Sequence, residues 1–288
     1  MQSFLIVLFL VIVLSLFSPA LQGALRGFFI GRPAAVFAVP CALTALFACV
    51  LAESGGWSTA FVLLVAVYTF VPTALAYARK PRLDFAAILL LWMPIEFATG
   101  RQLIPRAVWG LANIAARGTA LTLALALFLL FRNLPLMKYN LPRKWTDLLY
   151  PAIGLAALTP VLAALGVWLG YMGPFVGFGG FHPGGFGLLW LRTALGVALP
   201  EELLFRALIQ NWLMLRFGFT VRTLAVAALI FGASHLDNPP GPLPNWRYMI
   251  LATIAGFVFG GVFWKSSSIW SSAGLHALVN CTRHVFFG

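Results

Sequence analysis

Glu201 and Glu202 stand side by side in the run Leu199-Pro200-Glu201-Glu202-Leu203-Leu204-Phe205-Arg206, in a chain that holds only seven Asp and Glu. An ionisable group inside an apolar, membrane-type segment is expensive and marks a functional site by default. On a helix, Glu202 and Arg206 (i, i+4) share a face and can pair, whereas Glu201 points about 100° away. One carboxylate is thereby neutralised, and the other is left free to take and return a proton. A structural ion pair with a spare acid at a helix contact is the alternative. Pro200 suits the first turn of a helix, or a kink within a longer one.

Two further pairs repeat the i, i+4 spacing. Phe231 and His235 sit on one apolar stretch, with Phe231 placed to limit the rotamers of the imidazole. His276 and Asn280 sit on the last one, two polar groups about 6 Å apart along a helix, where donors could hold a developing oxyanion. His284 continues that stripe by another turn and could equally face the membrane interface. Ser271, Ser272, Ala273, Gly274 and Ala277 are small enough to let a neighbouring helix approach. Any of these residues alone is compatible with a hydrogen-bonded core position. Together, two carboxylates, an Arg, two His and an Asn fall in the last third of an apolar chain. Burying them without mutual partners would cost several kcal/mol each, so one shared polar cavity is expected.

The elements that must position them are membrane helices. Of 288 residues 61% are hydrophobic and 9% charged, with a mean hydropathy of +0.95. A soluble domain carries about 25% charged residues. The composition predicts an all-α, polytopic transmembrane bundle of about eight to ten helices. Candidate segments near the ~20 residues that span a bilayer are 3–22, 34–52, 57–78, 84–99, 118–131, 147–171, 187–215, 223–236, 247–264 and 268–287. Residues 101–117, with Arg101, Arg106 and Arg117 among apolar neighbours, read as an interfacial amphipathic segment. The run Phe4 to Phe17 lacks a basic flank and is expected to be an uncleaved first helix.

The net charge of +12 reflects topology and lipid headgroups, with no nucleic acid as partner. Threaded alternately, the connectors place twelve bases (Arg26, Arg32, Arg79, Lys80, Arg82, Arg132, Lys138, Arg143, Lys144, Arg216, Arg222, Lys265) on one side. Five (Arg101, Arg106, Arg117, Arg247, Arg283) fall on the other. The richer side is assigned to the cytoplasm. Glu201 then lies near mid-membrane and His235 towards the outer end of its helix. Cys41, Cys49 and Cys281 show no metal-ligand spacing and no disulfide framework. The Gly- and Phe-rich loop 172–187, with His182, reads as a greasy interfacial cap, because no phosphate-binding helix start follows it. Residues 237–245 form a proline-rich turn.

EExxxR (Glu201, Glu202, Arg206), FxxxH (Phe231, His235) and HxxxN (His276, Asn280), in that order, resemble the CPBP family. That family includes the type II CAAX prenyl endopeptidases (Ras-converting enzyme) and bacterial proteins of bacteriocin processing and self-immunity. The resemblance covers about residues 147–287, which divides the chain into N-terminal helices with an interfacial segment (1–146) and a catalytic helix core (147–288). It implies an intramembrane endopeptidase that cuts a membrane-associated or lipidated protein or peptide near its C-terminus. By the same resemblance Glu201 activates a water with help from His235, His276 and Asn280 stabilise the oxyanion, and Arg206 pairs with Glu202. Ser234 and Cys281 adjoin motif residues without activating geometry, so no acyl-enzyme is expected.

No cofactor is expected. Zinc on Glu201, His235 and His276 is the mechanistic alternative, although the sequence holds no HExxH. The functional alternatives are a non-catalytic immunity or scaffold protein and a proton-coupled transporter. Transporters often show repeats with paired broken helices, and a single Pro-interrupted segment stands here. The expected location is a bacterial inner membrane, crossed several times.

Overall fold

Ser18-Pro19 shows at once how local chemistry shapes these helices. A residue before proline disfavours the α region, and Ser18 is extended, its side chain accepting from the Leu21 amide at 3.4 Å. In a computed structural model that describes residues 1–179, 181–239 and 242–287, the expected first span 3–22 is therefore broken. It becomes two helices, α1 (Gln2–Ser15) and α2 (Pro19–Gly31), that meet at 89°.

The chain is 78% helical, and among the described residues the only β feature is an isolated bridge between Phe175 and Phe287. Among the described residues five helices are long and apolar enough to cross a membrane, or six if the bent pair counts as one span. The interrupted helical run 183–217 and a 13-residue apolar helix stand outside that count. This is the polytopic helical bundle that the composition requires. Two compact units divide it, Met1–Pro135 and Leu136–Gly288.

The first unit comprises α1, α2, α3 (Ala38–Glu53), α4 (Thr59–Tyr77), α5 (Pro81–Glu96) and α6 (Trp109–Ala124), which runs on as a π-helical turn through Phe131. Residues 101–117 are not a separate interfacial helix. Arg106–Phe131 is one apolar helix of 26 residues. Its bases are accommodated locally. Arg101 stacks on Trp109, and Arg117 donates to Asn113 at 3.0 Å on the exposed face. The opposite face buries Leu111, Ala112, Ala115 and Gly118. Asp84, fully buried, accepts two bonds from Arg132 at 2.7 and 2.6 Å.

The second unit begins with α7 (Thr146–Trp168). Then α8 (Pro183–Thr193), α9 (Leu199–Glu202) and α10 (Asn211–Phe217) follow one another without a break, joined by π-helical turns at Ala194–Ala198 and Leu203–Gln210. Pro200 explains the first of these. It has no N–H to give the carbonyl of residue 196, and a widened turn relieves the clash. The remaining helices are α11 (Val221–Ala233), α12 (Trp246–Lys265) and α13 (Ile269–Phe286). α11 and α12 lie against each other through glycine. A Cβ on Gly232 would run into the Thr253 hydroxyl and the Met249 carbonyl, and one on Gly256 would lie 2.7 Å from the Phe231 ring.

Each end of this unit is tied separately. At one end Lys138 donates to the carbonyls of Phe263, Trp264 and Ser266 at 2.8–2.9 Å, covering the C-terminus of α12. Burial pushes its ammonium down to about 8, and Asp147 opposes that shift. Asp147 accepts from the amides of Arg143, Lys144 and Ser267 and from the Ser267 hydroxyl. At the other end Val176 donates to the Phe286 carbonyl, and Phe175, Phe178 and Phe181 pack on Phe286. The segment expected as an interfacial cap thus rests on the end of α13, with Gly180 outside the described residues. Pro240 and Gly241 of the proline-rich turn also lie outside them.

Candidate active site

α9 carries both carboxylates, and their environments differ sharply. The Glu202 side chain is 0% exposed and that of Glu201 is 32% exposed. Arg206, one turn on and likewise wholly buried, donates through Nε to Glu202 Oε2 at 3.1 Å. Its guanidinium lies over the Phe231 ring, 4.4 Å from the centroid, a cation–π contact strengthened by the dry surroundings. Neither terminal nitrogen of Arg206 has a hydrogen-bond partner among the described residues.

His276 is brought to this pair from 74 residues away. Its Nδ1 lies 3.1 Å from Glu202 Oε1. A carboxylate can only accept, so Nδ1 carries the hydrogen and Nε2 is turned outward. Nε2 stands 3.8 Å from Glu201 Oε2, too far for a direct bond and close enough for one water to touch both. The ring is stacked on Phe259, centroids 4.6 Å apart, and meets Phe231 edge-on at 5.9 Å. Glu201 Oε2 is itself a buried atom without a hydrogen-bond partner. One carboxylate is fully engaged, and the other keeps an oxygen in reserve.

His235 enters from the end of α11. Its Nδ1 lies 2.8 Å from the Phe231 carbonyl and 3.2 Å from the Ser234 hydroxyl. Since the carbonyl only accepts, Nδ1 holds the hydrogen and the neutral ring keeps Nε2 as an acceptor. Phe231 at 4.8 Å and Tyr248 at 4.6 Å fix the ring edge-on. Glu201 is near enough for its charge to act on both His235 and Tyr248.

A cavity of about 70 Å³ joins these groups, with room for a few waters. His235, His276 and Asn280 line it, together with Phe231, Tyr248 and Arg283. Glu201 meets this space through His276 rather than lining it. His284 does not line it and is exposed. Arg283 of α13 lines it instead, its guanidinium 4.7 Å from the centroid of the Tyr171 ring. Tyr171 is stacked on Tyr248 at 5.0 Å. The motif spacing gave no sign of Tyr171, Tyr248 or Phe259. Arg283 was within reach of it, as the polar residue two turns beyond His276.

Glu201, His235 and His276 do not gather as a ligand set. Among the described residues no group of three or more His, Cys, Asp or Glu could hold a metal ion. His276 has one nitrogen committed to Glu202, and its free nitrogen faces the open oxygen of Glu201 without a third ligand beside them.

Residues 183–282 match the family model described as type II CAAX prenyl endopeptidase Rce1-like. The match runs from the start of α8 into α13 and takes in every motif residue. It confirms at the family level the resemblance carried by EExxxR, FxxxH and HxxxN. No curated protein and no solved structure matches the chain.

Proposed function

We propose that this multi-pass membrane protein is a glutamate-dependent intramembrane endopeptidase. Its substrate would be a membrane-associated or lipidated protein or peptide, cut near the C-terminus. The observation that carries the reading is the division of labour on α9. Glu202 is locked between Arg206 and His276, and Glu201 keeps an unbonded oxygen 3.8 Å from His276 Nε2. The match to a CAAX-type protease family supports the same class of chemistry.

The reaction needs only water and side chains. Glu201 takes a proton as the water oxygen bonds to the scissile carbonyl carbon, with Nε2 of His235 accepting from the same water. Asn280 and His276, the latter with a hydrogen on Nε2 as well as on Nδ1, face the carbonyl oxygen and stabilise its negative charge as the tetrahedral intermediate forms. The C–N bond then breaks, and Glu201 returns its proton to the leaving amine. Arg206 and Glu202 hold His276 in place without touching substrate. Phe231 and Phe259 keep the surroundings dry, which strengthens each electrostatic contact.

The polarity of the second unit supports an opening away from the cytoplasm. Lys138, Arg143, Lys144, Arg216, Arg222 and Lys265 lie at the end where α12 hands over to α13, and Arg247, in the first turn of α12, and Arg283, near the end of α13, lie at the opposite end. Tyr171, Met172, Tyr248 and Phe287, which line the cavity, belong to that base-poor end. By the positive-inside rule the cavity mouth would then open on the outer face of a bacterial inner membrane.

The test is purified wild-type protein and Glu201→Ala against lipidated and unlipidated C-terminal peptides, with and without chelator. Cleavage by the wild type alone, unaffected by chelator, is the expected result. Chelator-sensitive cleavage would replace the glutamate mechanism with a metal one. No cleavage of any peptide by folded protein would remove the peptidase reading.

A further inference from the structure

The cavity extends beyond the motif residues, and its far end has a different chemistry. Three side chains meet there: Tyr171 from the segment after α7, Tyr248 from the first turn of α12, and Arg283 from the last turns of α13. Arg283 is half-buried and lies flat over the Tyr171 ring. Among the described residues no carboxylate lies within ion-pair distance of it, and the Tyr171 phenol is beside it. The Tyr171 hydroxyl sits beside Tyr248 and Arg283. It is a buried atom whose contacts with Arg283 and Tyr248 do not close into well-formed hydrogen bonds. A cationic fork and a phenol hydroxyl beside it thus line one partly enclosed space. A guanidinium of this kind matches a carboxylate in two-point geometry.

Its distance from the reacting groups is also defined. Arg283 is seven residues beyond His276 on the same helix, about 10 Å along the axis at 1.5 Å per residue. An extended peptide covers that length in about three residues. We propose that Arg283, assisted by the Tyr171 hydroxyl, binds the free C-terminal carboxylate of the substrate and so selects chains that end a few residues past the scissile bond. The assignment rests on the endopeptidase reading for what is cut, but not for what is bound. An internal segment of a protein, or a peptide capped as its amide, would leave Arg283 unpaired inside the cavity.

The experiment separates the two claims by measuring binding and cleavage independently. N-palmitoylated peptides with randomised last four residues are prepared as free acids and as C-terminal amides. Binding is measured on Glu201→Gln protein, with Arg283 intact or changed to Gln, and cleavage is measured on proteins with Glu201 intact. Acids should bind more tightly than amides by on the order of thirtyfold, the scale of a charge-assisted hydrogen bond. Arg283→Gln should bring that ratio close to one while leaving amide binding unchanged. Tyr171→Phe, which keeps the stacking ring, should reduce the ratio in part and serves if Arg283→Gln does not fold.

Equal binding of acid and amide by the parent protein would overturn the proposal. So would a uniform loss of both in Arg283→Gln, which would make the residue structural. An acid preference that disappears only when anionic lipid is removed would assign Arg283 to a headgroup phosphate instead, and also overturns it. Acid-selective binding without any cleavage would keep this inference and reject the peptidase reading.

Discussion

Replacing Arg206 by Met isolates the buried ion pair at the centre of the site. Both partners are 0% exposed, and the pair is closed at 3.1 Å. Removing the cation leaves a carboxylate in a dry interior with only neutral-capable partners, His276 and Ser272, beside it. Breaking a buried pair from one side costs about 3–5 kcal/mol, because the remaining charge is left uncompensated. Loss of the stacking on Phe231, 4.4 Å away, adds about 1–2 kcal/mol. For a chain of this size about 1 kcal/mol moves the melting temperature by roughly 2–4 °C, so a fall of about 10 °C or more is expected. The assay is thermal unfolding in detergent, followed by tryptophan fluorescence. Adding Glu202→Gln to Arg206→Met should recover at least half of the loss, since an amide needs no counter-charge. A fall of less than about 2 °C, or no recovery in the double variant, would refute the view that Glu202 is held as a charge by Arg206.

Three other outcomes are expected. Gly232→Ala puts a methyl group against the Thr253 hydroxyl and the Met249 carbonyl, and should lower stability by about 1–3 kcal/mol; an unchanged melting temperature would mean α11 and α12 are not in close contact. Lys138 has its pKa lowered to about 8 by burial, so the unfolded chain binds more protons between about pH 8 and its ordinary 10.5. Stability should therefore rise with pH across that window, and Lys138→Met protein should lack this slope when melts are compared over the same range. In a cysteine-free background, Val176→Cys should react with an impermeant maleimide in intact cells and Lys144→Cys only after permeabilisation; the reverse pattern would place the cavity mouth on the cytoplasmic side.

Contacts within one helix were legible in the sequence, and contacts between helices were not. Glu202 with Arg206 and Phe231 with His235 are i, i+4 pairs, so helix geometry alone placed them together. The bond between Glu202 and His276 joins residues 74 positions apart, and no periodicity encodes it. The spacing of α13 did contain one further signal. Seven residues from His276 turn the helix through about 700°, within about 20° of two full turns. This brings Arg283 onto the cavity face, whereas His284 is rotated off it. The same geometry explains why His284 was the weaker candidate.

Hydropathy also misled in two places. It ran straight through Ser18-Pro19, where backbone sterics end α1. It also separated 101–117 from the helix that follows, because Arg101, Arg106 and Arg117 outweighed an apolar face that the fold buries. Conversely, Pro200 marked a real irregularity. It lies between two π-helical turns, where such widened turns often accompany functional sites.

The division between the two adjacent carboxylates is best tested by making Glu201→Gln and Glu202→Gln in one preparation and measuring turnover and melting temperature for both. Glu201→Gln should melt within about 2 °C of the wild type and lose activity by on the order of 10²–10⁴, the usual contribution of a general base. Glu202→Gln should melt lower, because it leaves Arg206 buried without a counter-charge. Wild-type turnover in a folded Glu201→Gln protein would contradict the assignment of Glu201 as the base.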